Sequence, residues 1–140
     1  MKQLLVAAIL LTAVTAGYGQ CEKKTVLTAS KTEHLAADSS VQTNDDGVVT
    51  IEFDKTTFNV SPQNESPLTG KVDSVTCNWS TPYKVGKMRM KITLTTAQGE
   101  IQKFTVTIEG KAGKVTLYAT MDGQPDQMIR LTADKFEEKM

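Results

Sequence analysis

The sequence is short of the residues that most catalytic and metal-binding sites require. Its 140 residues include one histidine, two cysteines and one tryptophan. A serine hydrolase needs a histidine beside its nucleophile, whereas His34 stands in the least regular segment and no Gly-x-Ser-x-Gly motif occurs. Two cysteines and one distant histidine match no zinc-ligand spacing. We therefore expect a protein that is not an enzyme, with no catalytic residues, no metal and no cofactor.

An excess of charge of one sign is also missing. Sixteen lysines and arginines balance sixteen aspartates and glutamates, so the formal net charge is zero. Nucleic-acid binding depends on a concentrated basic face that neutralises phosphates. The charge balance therefore argues against nucleic acid as a partner, and the length is that of a single domain.

Long hydrophobic runs are missing too, apart from a short one near the N-terminus. Lys2 precedes an apolar run over residues 4–16, and small residues follow as far as Gly19. Roughly thirteen apolar residues are too few to cross a hydrocarbon core, which needs about twenty, but they suit a signal peptide. We predict a signal peptide over residues 1–19 and one exported domain over residues 20–140, periplasmic or secreted, with no transmembrane segment in the mature chain.

The two cysteines leave three alternatives open. In an oxidising compartment the only two thiols, Cys21 and Cys77, are expected to form a disulfide. Alternatively, Cys21 is the lipidated residue of a lipoprotein anchored in the outer membrane, although Gln20 stands where such signals carry a small residue. A third possibility is an unpaired core thiol, because Cys77 alternates with Val75 and Trp79.

Beyond residue 20 the dominant pattern is alternation of apolar and polar residues. In Met88–Thr95 every even position is apolar and every odd position is charged or a threonine. This pattern is typical of a half-buried antiparallel strand with one face in the core. Similar runs at 104–109, 115–121 and 129–131 follow short connections rich in turn residues. We therefore predict a meander of hairpins.

The N-terminal half alternates less regularly. Residues 49–53 and 58–60 predict two strands, and a first strand is expected over residues 25–35. Within residues 30–38 a helical turn is the alternative. The Asn-Asp-Asp-Gly sequence at residues 44–47 predicts a turn between short strands.

Eight or nine short strands in sequential order predict an all-β fold. Closing an antiparallel sheet removes its exposed edges, so we predict an up-and-down β-barrel of about eight strands. The alternative is a β-sandwich. A sandwich of the immunoglobulin type has a tryptophan between two paired cysteines, whereas Trp79 lies two residues beyond Cys77 and no cysteine follows it.

The strand meander from Val48 to Phe136, together with the export signal, resembles the small secreted bacterial β-barrels of the lipocalin-like, or calycin-like, class. The resemblance is architectural, because the segment Lys24–Thr28 lacks the Gly-x-Trp sequence that lipocalins carry near their first strand. It implies an exported, non-enzymatic protein whose barrel interior binds a small hydrophobic ligand.

Barrels of eight strands are of a size at which side chains either fill the interior or leave room for one small ligand. Inward-facing aromatic and thioether side chains are adaptable lining for an apolar pocket. The candidate lining residues are Phe58, Trp79, Met88, Met90, Phe104 and Met121. The alternative is a filled core in a structural or interaction module of the bacterial envelope. The pattern leaves the ligand and the oligomeric state open.

Overall fold

A computed structural model of the protein describes Cys21, residues 23–63 and residues 65–139. The predicted signal peptide over residues 1–19 lies outside this part of the chain. No helix among the described residues is long and apolar enough to span a membrane. The structure has nine β-strands: β1 (Thr25–Leu35), β2 (Val41–Phe53), β3 (Phe58–Pro62), β4 (Thr69–Thr81), β5 (Val85–Thr95), β6 (Ile101–Lys111), β7 (Lys114–Met121), β8 (Gln124–Thr132) and β9 (Lys135–Glu138).

The strands form one antiparallel barrel that follows the order of the sequence. Hydrogen-bonded ladders join β4 through β8 in succession, β8 to β1, β1 to β2, and β2 to β3. The last strand, β9, pairs with the first half of β1 while β8 pairs with its second half. The predicted all-β, up-and-down barrel of eight strands is therefore confirmed, and the sandwich alternative is not adopted.

Between β3 and β4 the barrel has one seam that no continuous ladder closes. Two isolated bridges cross this seam, and one of them joins Val60 and Leu68. In that bridge the Val60 N–H donates to the Leu68 carbonyl at 2.9 Å, and the Leu68 N–H donates back at 2.8 Å. At Gly70 a Cβ atom would lie 2.6 Å from the Phe58 carbonyl oxygen. Glycine at this position therefore lets the two strands approach.

The prediction of a turn at Asn44–Gly47 is wrong. These residues lie inside β2, and the register between β1 and β2 shifts between Ala29 and Lys31. Gly47 has a φ of 152°, a conformation open to glycine, so the strand passes through an irregularity instead of reversing. The chain reverses at residues 36–40, where the Ala36 N–H donates to the Ser40 carbonyl at 2.9 Å. Residues 30–35 therefore continue the strand, and no helical turn forms there.

Successive connections lie at opposite ends of the barrel. The connections after β1, β3, β5 and β7 lie at one end, called here the open end. Those after β2, β4 and β6 lie at the other, called the closed end. The interior differs between these ends because different inward-facing residues reach each of them.

Aromatic side chains fill the closed end. The rings of Trp79 and Phe136 have centroids 5.6 Å apart, and Tyr83 meets Phe136 edge to face at 5.2 Å. Phe53 also stacks on Phe136, with the ring centroids 6.4 Å apart. Such aromatic contacts add to the energy of apolar burial. A Cβ at Gly110 would lie 2.7 Å from the Trp79 ring, so the packing here leaves no room for a side chain at that position.

A disulfide between Cys21 and Cys77 lies at the closed end. Cys21 precedes β1, and Cys77 belongs to β4, the strand on one side of the seam. The two Cα atoms are 6.2 Å apart, within the ordinary range for a disulfide. The bond therefore ties the segment before β1 to β4, where the backbone ladder is incomplete, and the unpaired-thiol alternative is not adopted.

Candidate functional site

The open half of the barrel encloses a cavity of about 560 Å³. Sites for small molecules commonly have volumes of about 300–1,000 Å³. Phe58 lines this cavity and also stacks on Phe53 at a centroid distance of 5.8 Å. Phe58 therefore separates the cavity from the filled closed end.

The cavity wall is apolar because alternate residues of each strand point inward. Four of the wall residues, Ile92, Leu94, Val106 and Leu117, are at most 5% exposed. The apolar part of the lining comprises Val48, Val49, Ile51, Phe58, Val60, Pro62, Leu68, Ile92, Leu94, Phe104, Val106, Leu117, Ala119, Ile129 and Leu131. At the seam, β3 contributes Phe58, Val60 and Pro62 to this wall, and Leu68, just before β4, contributes from the other side. A molecule inside the cavity would therefore meet an almost wholly aliphatic and aromatic surface.

The polar lining residues come from the strand ends and loop at the open end, and they form the mouth of the cavity. They are Thr32, His34, Asp45, Asp46, Gln63 and Glu65. His34 Nε2 lies 2.9 Å from Asp45 Oδ2, which links β1 to β2 at the mouth. The Val48 N–H donates to Gln63 Oε1 at 3.1 Å, and the Gln63 N–H donates to the Val48 carbonyl at 2.9 Å. The mouth therefore holds hydrogen-bonding groups, and three of its six residues are carboxylates.

The structure divides the predicted lining residues between the two ends of the barrel. Phe58 and Phe104 lie in the cavity wall. Trp79, Met88 and Met90 also point inward and are at most 5% exposed, but they belong to the packed core and are not among the cavity residues. Tryptophan fluorescence is therefore not a direct reporter of the cavity.

Met121, the remaining predicted residue, ends β7 opposite Phe104 and does not line the cavity. The prediction missed most of the wall, which is aliphatic. Alternation predicts that residues such as Ile92 and Ile129 face inward. The predicted lining, however, comprises aromatic and methionine side chains alone. Position along a single strand does not identify the wall, because Ile92 and Leu94 lie toward the open end of β5, whereas Ile129 and Leu131 lie toward the closed end of β8.

Hydrogen bonds outside the cavity hold the strands that frame it. Arg130 on β8 donates from Nε and Nη2 to the two carboxylate oxygens of Glu33 on β1, at 3.0 and 2.9 Å. This hydrogen bonding lowers the pKa of Glu33 and raises that of Arg130. Burial would raise the pKa of Asp54, but the N–H groups of Thr56 and Thr57 donate to its Oδ1 at 2.8 Å, and the pKa is lowered. The bidentate ion pair between Glu33 and Arg130, which is the strong form of such contacts, therefore joins β1 to β8.

Among the residues that the structure describes, no group of three or more histidines, cysteines, aspartates and glutamates is placed to hold a metal ion. Comparisons with protein-family models, with curated proteins and with solved structures found no match. The function of the cavity is therefore inferred from its size, its lining and its charge.

Proposed function

We propose that the protein is an exported, lipocalin-like carrier without enzymatic activity that binds one small hydrophobic molecule in the barrel cavity. The observation that carries this proposal is the apolar cavity of about 560 Å³, which opens at one end of a barrel whose other end is packed with aromatic side chains. A barrel that served only as a rigid module would be expected to fill this volume, because protein interiors are close-packed.

The cavity is large enough for a small ligand to gain binding free energy by burying its apolar surface. A ligand that buries about 300 Å² of apolar surface gains roughly 7 kcal/mol at about 25 cal/mol per Å². Lost translational and rotational freedom opposes this gain. A preformed cavity reduces the cost of ordering the protein, but a gain of roughly 7 kcal/mol corresponds by itself to a dissociation constant of several micromolar. We therefore expect weaker binding than this, with dissociation constants of about 10 μM to 1 mM.

We also propose that the protein works outside the cytoplasm as a soluble periplasmic or secreted protein. Disulfides persist in oxidising compartments, and the only two cysteines of the chain are bonded to each other. A Cys21 sulfur that is bonded to Cys77 is not available for the thioether of a lipoprotein. Intact mass of the exported protein tests this proposal, because a lipid anchor would add the mass of its acyl chains.

Titration with the neutral fluorescent probe N-phenyl-naphthylamine tests the carrier function. We expect a saturable rise in probe fluorescence with one site per chain. Ala119→Trp places a large side chain in the cavity wall and should weaken binding by at least about tenfold. Thr120→Trp is the matched control, because it changes the adjacent residue, which lies at a shallow depression outside the cavity.

Circular dichroism and urea unfolding should show that both variants are folded. Ala119→Leu, a smaller change at the same position, serves if the tryptophan variant does not fold. Absence of saturable binding by the folded wild-type protein would contradict the carrier function. The alternative, a structural or interaction module of the envelope, would then be preferred.

A further inference from the structure

The charges at the mouth of the cavity favour some head groups of a ligand over others. Resting on the proposed function, we propose that the ligand has an apolar body with an uncharged or cationic head group, and that the protein selects against anionic amphiphiles such as fatty acids. The proposal depends on where a head group must lie and on which charges it meets there.

The apolar wall decides the orientation of an amphiphile in the cavity. Among the described residues, no charged side chain lines the cavity beyond the mouth, and a charged or hydrogen-bonding head placed against this wall would lose its hydration without compensation. The apolar body therefore points toward Phe58, and the head group remains at the open end among the polar residues.

The charged groups at the mouth are mainly acidic. Asp45, Asp46 and Glu65 line it, and His34, the one basic lining residue in the part of the chain that the structure describes, is already hydrogen-bonded to Asp45 at 2.9 Å. Within residues 23–63 and 65–139, no lysine or arginine is among the cavity residues. Lys31 stands opposite Asp46 in the ladder between β1 and β2 but does not line the cavity.

Asp45 is the carboxylate best placed to act on a head group. It stands opposite Thr32, which also lines the cavity, so both residues lie on the inner face of the ladder. Its side chain is 72% exposed, and solvent therefore weakens its field. Each of Asp45 and Glu65 is expected to change the affinity for a charged head by about threefold at low ionic strength.

Displacement of N-phenyl-naphthylamine by three amphiphiles that share one chain tests the proposal. The competitors are dodecylammonium, dodecanol and dodecanoate, each below its critical micelle concentration. For the wild-type protein we expect dodecylammonium and dodecanol to displace the probe at least about tenfold more effectively than dodecanoate.

The double variant Asp45→Asn/Glu65→Gln should weaken dodecylammonium binding by about tenfold and tighten dodecanoate binding by about tenfold. Dodecanol affinity should stay the same, which shows that the cavity is intact. Glu109→Gln makes a like change of charge outside the cavity, where Glu109 pairs with Lys87 at 3.3 Å, and should leave the order of the three competitors unaltered.

The outcomes separate this proposal from the proposed function. If dodecanoate binds as well as dodecylammonium, or if the double variant keeps the wild-type preference, the head-group proposal is overturned while the carrier function stands. If neither the probe nor dodecanol binds, the carrier function itself fails.

Discussion

Removal of the disulfide should be the most damaging small change that leaves the cavity lining intact. The double variant Cys21→Ala/Cys77→Ala removes a cross-link between residues that are 56 positions apart. In the chain-entropy model a closed loop of this length contributes on the order of 4 kcal/mol to the free energy of unfolding. Small domains have total stabilities of roughly 5–15 kcal/mol, so the loss would be a large fraction of the whole.

The position of the disulfide suggests where the loss will be felt. Cys77 lies in β4, and within the described part of the chain only two isolated bridges, Thr57–Lys71 and Val60–Leu68, cross the seam. Without the disulfide, the closed end of β4 keeps its pairing with β5 and the packing of Val75 and Trp79 against the core. We therefore expect β4 amides to exchange with solvent faster in the variant, while amides of β6, which is paired on both sides, change less.

Equilibrium urea unfolding, followed by Trp79 fluorescence and by circular dichroism, measures the effect. The wild-type protein unfolded in the presence of a reductant is the matched control and should resemble the double variant. The slope of the free energy against urea should also rise, because a denatured chain without the cross-link exposes more surface. A loss of stability below about 1 kcal/mol would refute the entropic reasoning for this bond.

Two further predictions concern the seam and the turn between β2 and β3. Gly70→Ala should lower the free energy of unfolding by about 1–3 kcal/mol, because its Cβ would lie 2.6 Å from the Phe58 carbonyl oxygen and 2.5 Å from Leu94 Cδ2; urea unfolding measures the change. Asp54→Ala should cost about 1–2 kcal/mol near neutral pH, because it removes the acceptor for two backbone N–H groups. The lowered pKa of Asp54 means that its stabilisation is present above its unfolded pKa, near 4, and is lost as the pH falls through the folded value. The stability difference between wild type and Asp54→Ala should therefore shrink toward about pH 3.

Different results would contradict these two predictions. A Gly70→Ala variant as stable as the wild type would mean that β3 and β4 can separate at the seam without loss. A difference between wild type and Asp54→Ala that grows on acidification would mean that the protonated carboxyl is the stabilising form.

Much of the fold could be predicted from the sequence because each strand carries its own period-two pattern. Met88, Met90, Ile92 and Leu94 are all buried, as the alternation in that run predicts. The short connections between successive runs likewise predict neighbouring antiparallel strands. The turn predicted at Asn44–Gly47 was wrong because asparagine, aspartate and glycine also suit an irregular stretch within a strand.

The features on which function depends were decided by the tertiary structure. The sequence by itself determined most of the strands, their order and, in the regularly alternating runs, which residues face inward. It did not determine that Cys21 meets Cys77, that Phe136 on the unpredicted β9 joins the aromatic closed end, or that Trp79 and Phe104 belong to opposite ends of the barrel. A period of two reports the face of a strand but carries no information about height along the barrel axis. That height is set by the registers of all eight strands together, and these registers separate a packed end from an open cavity.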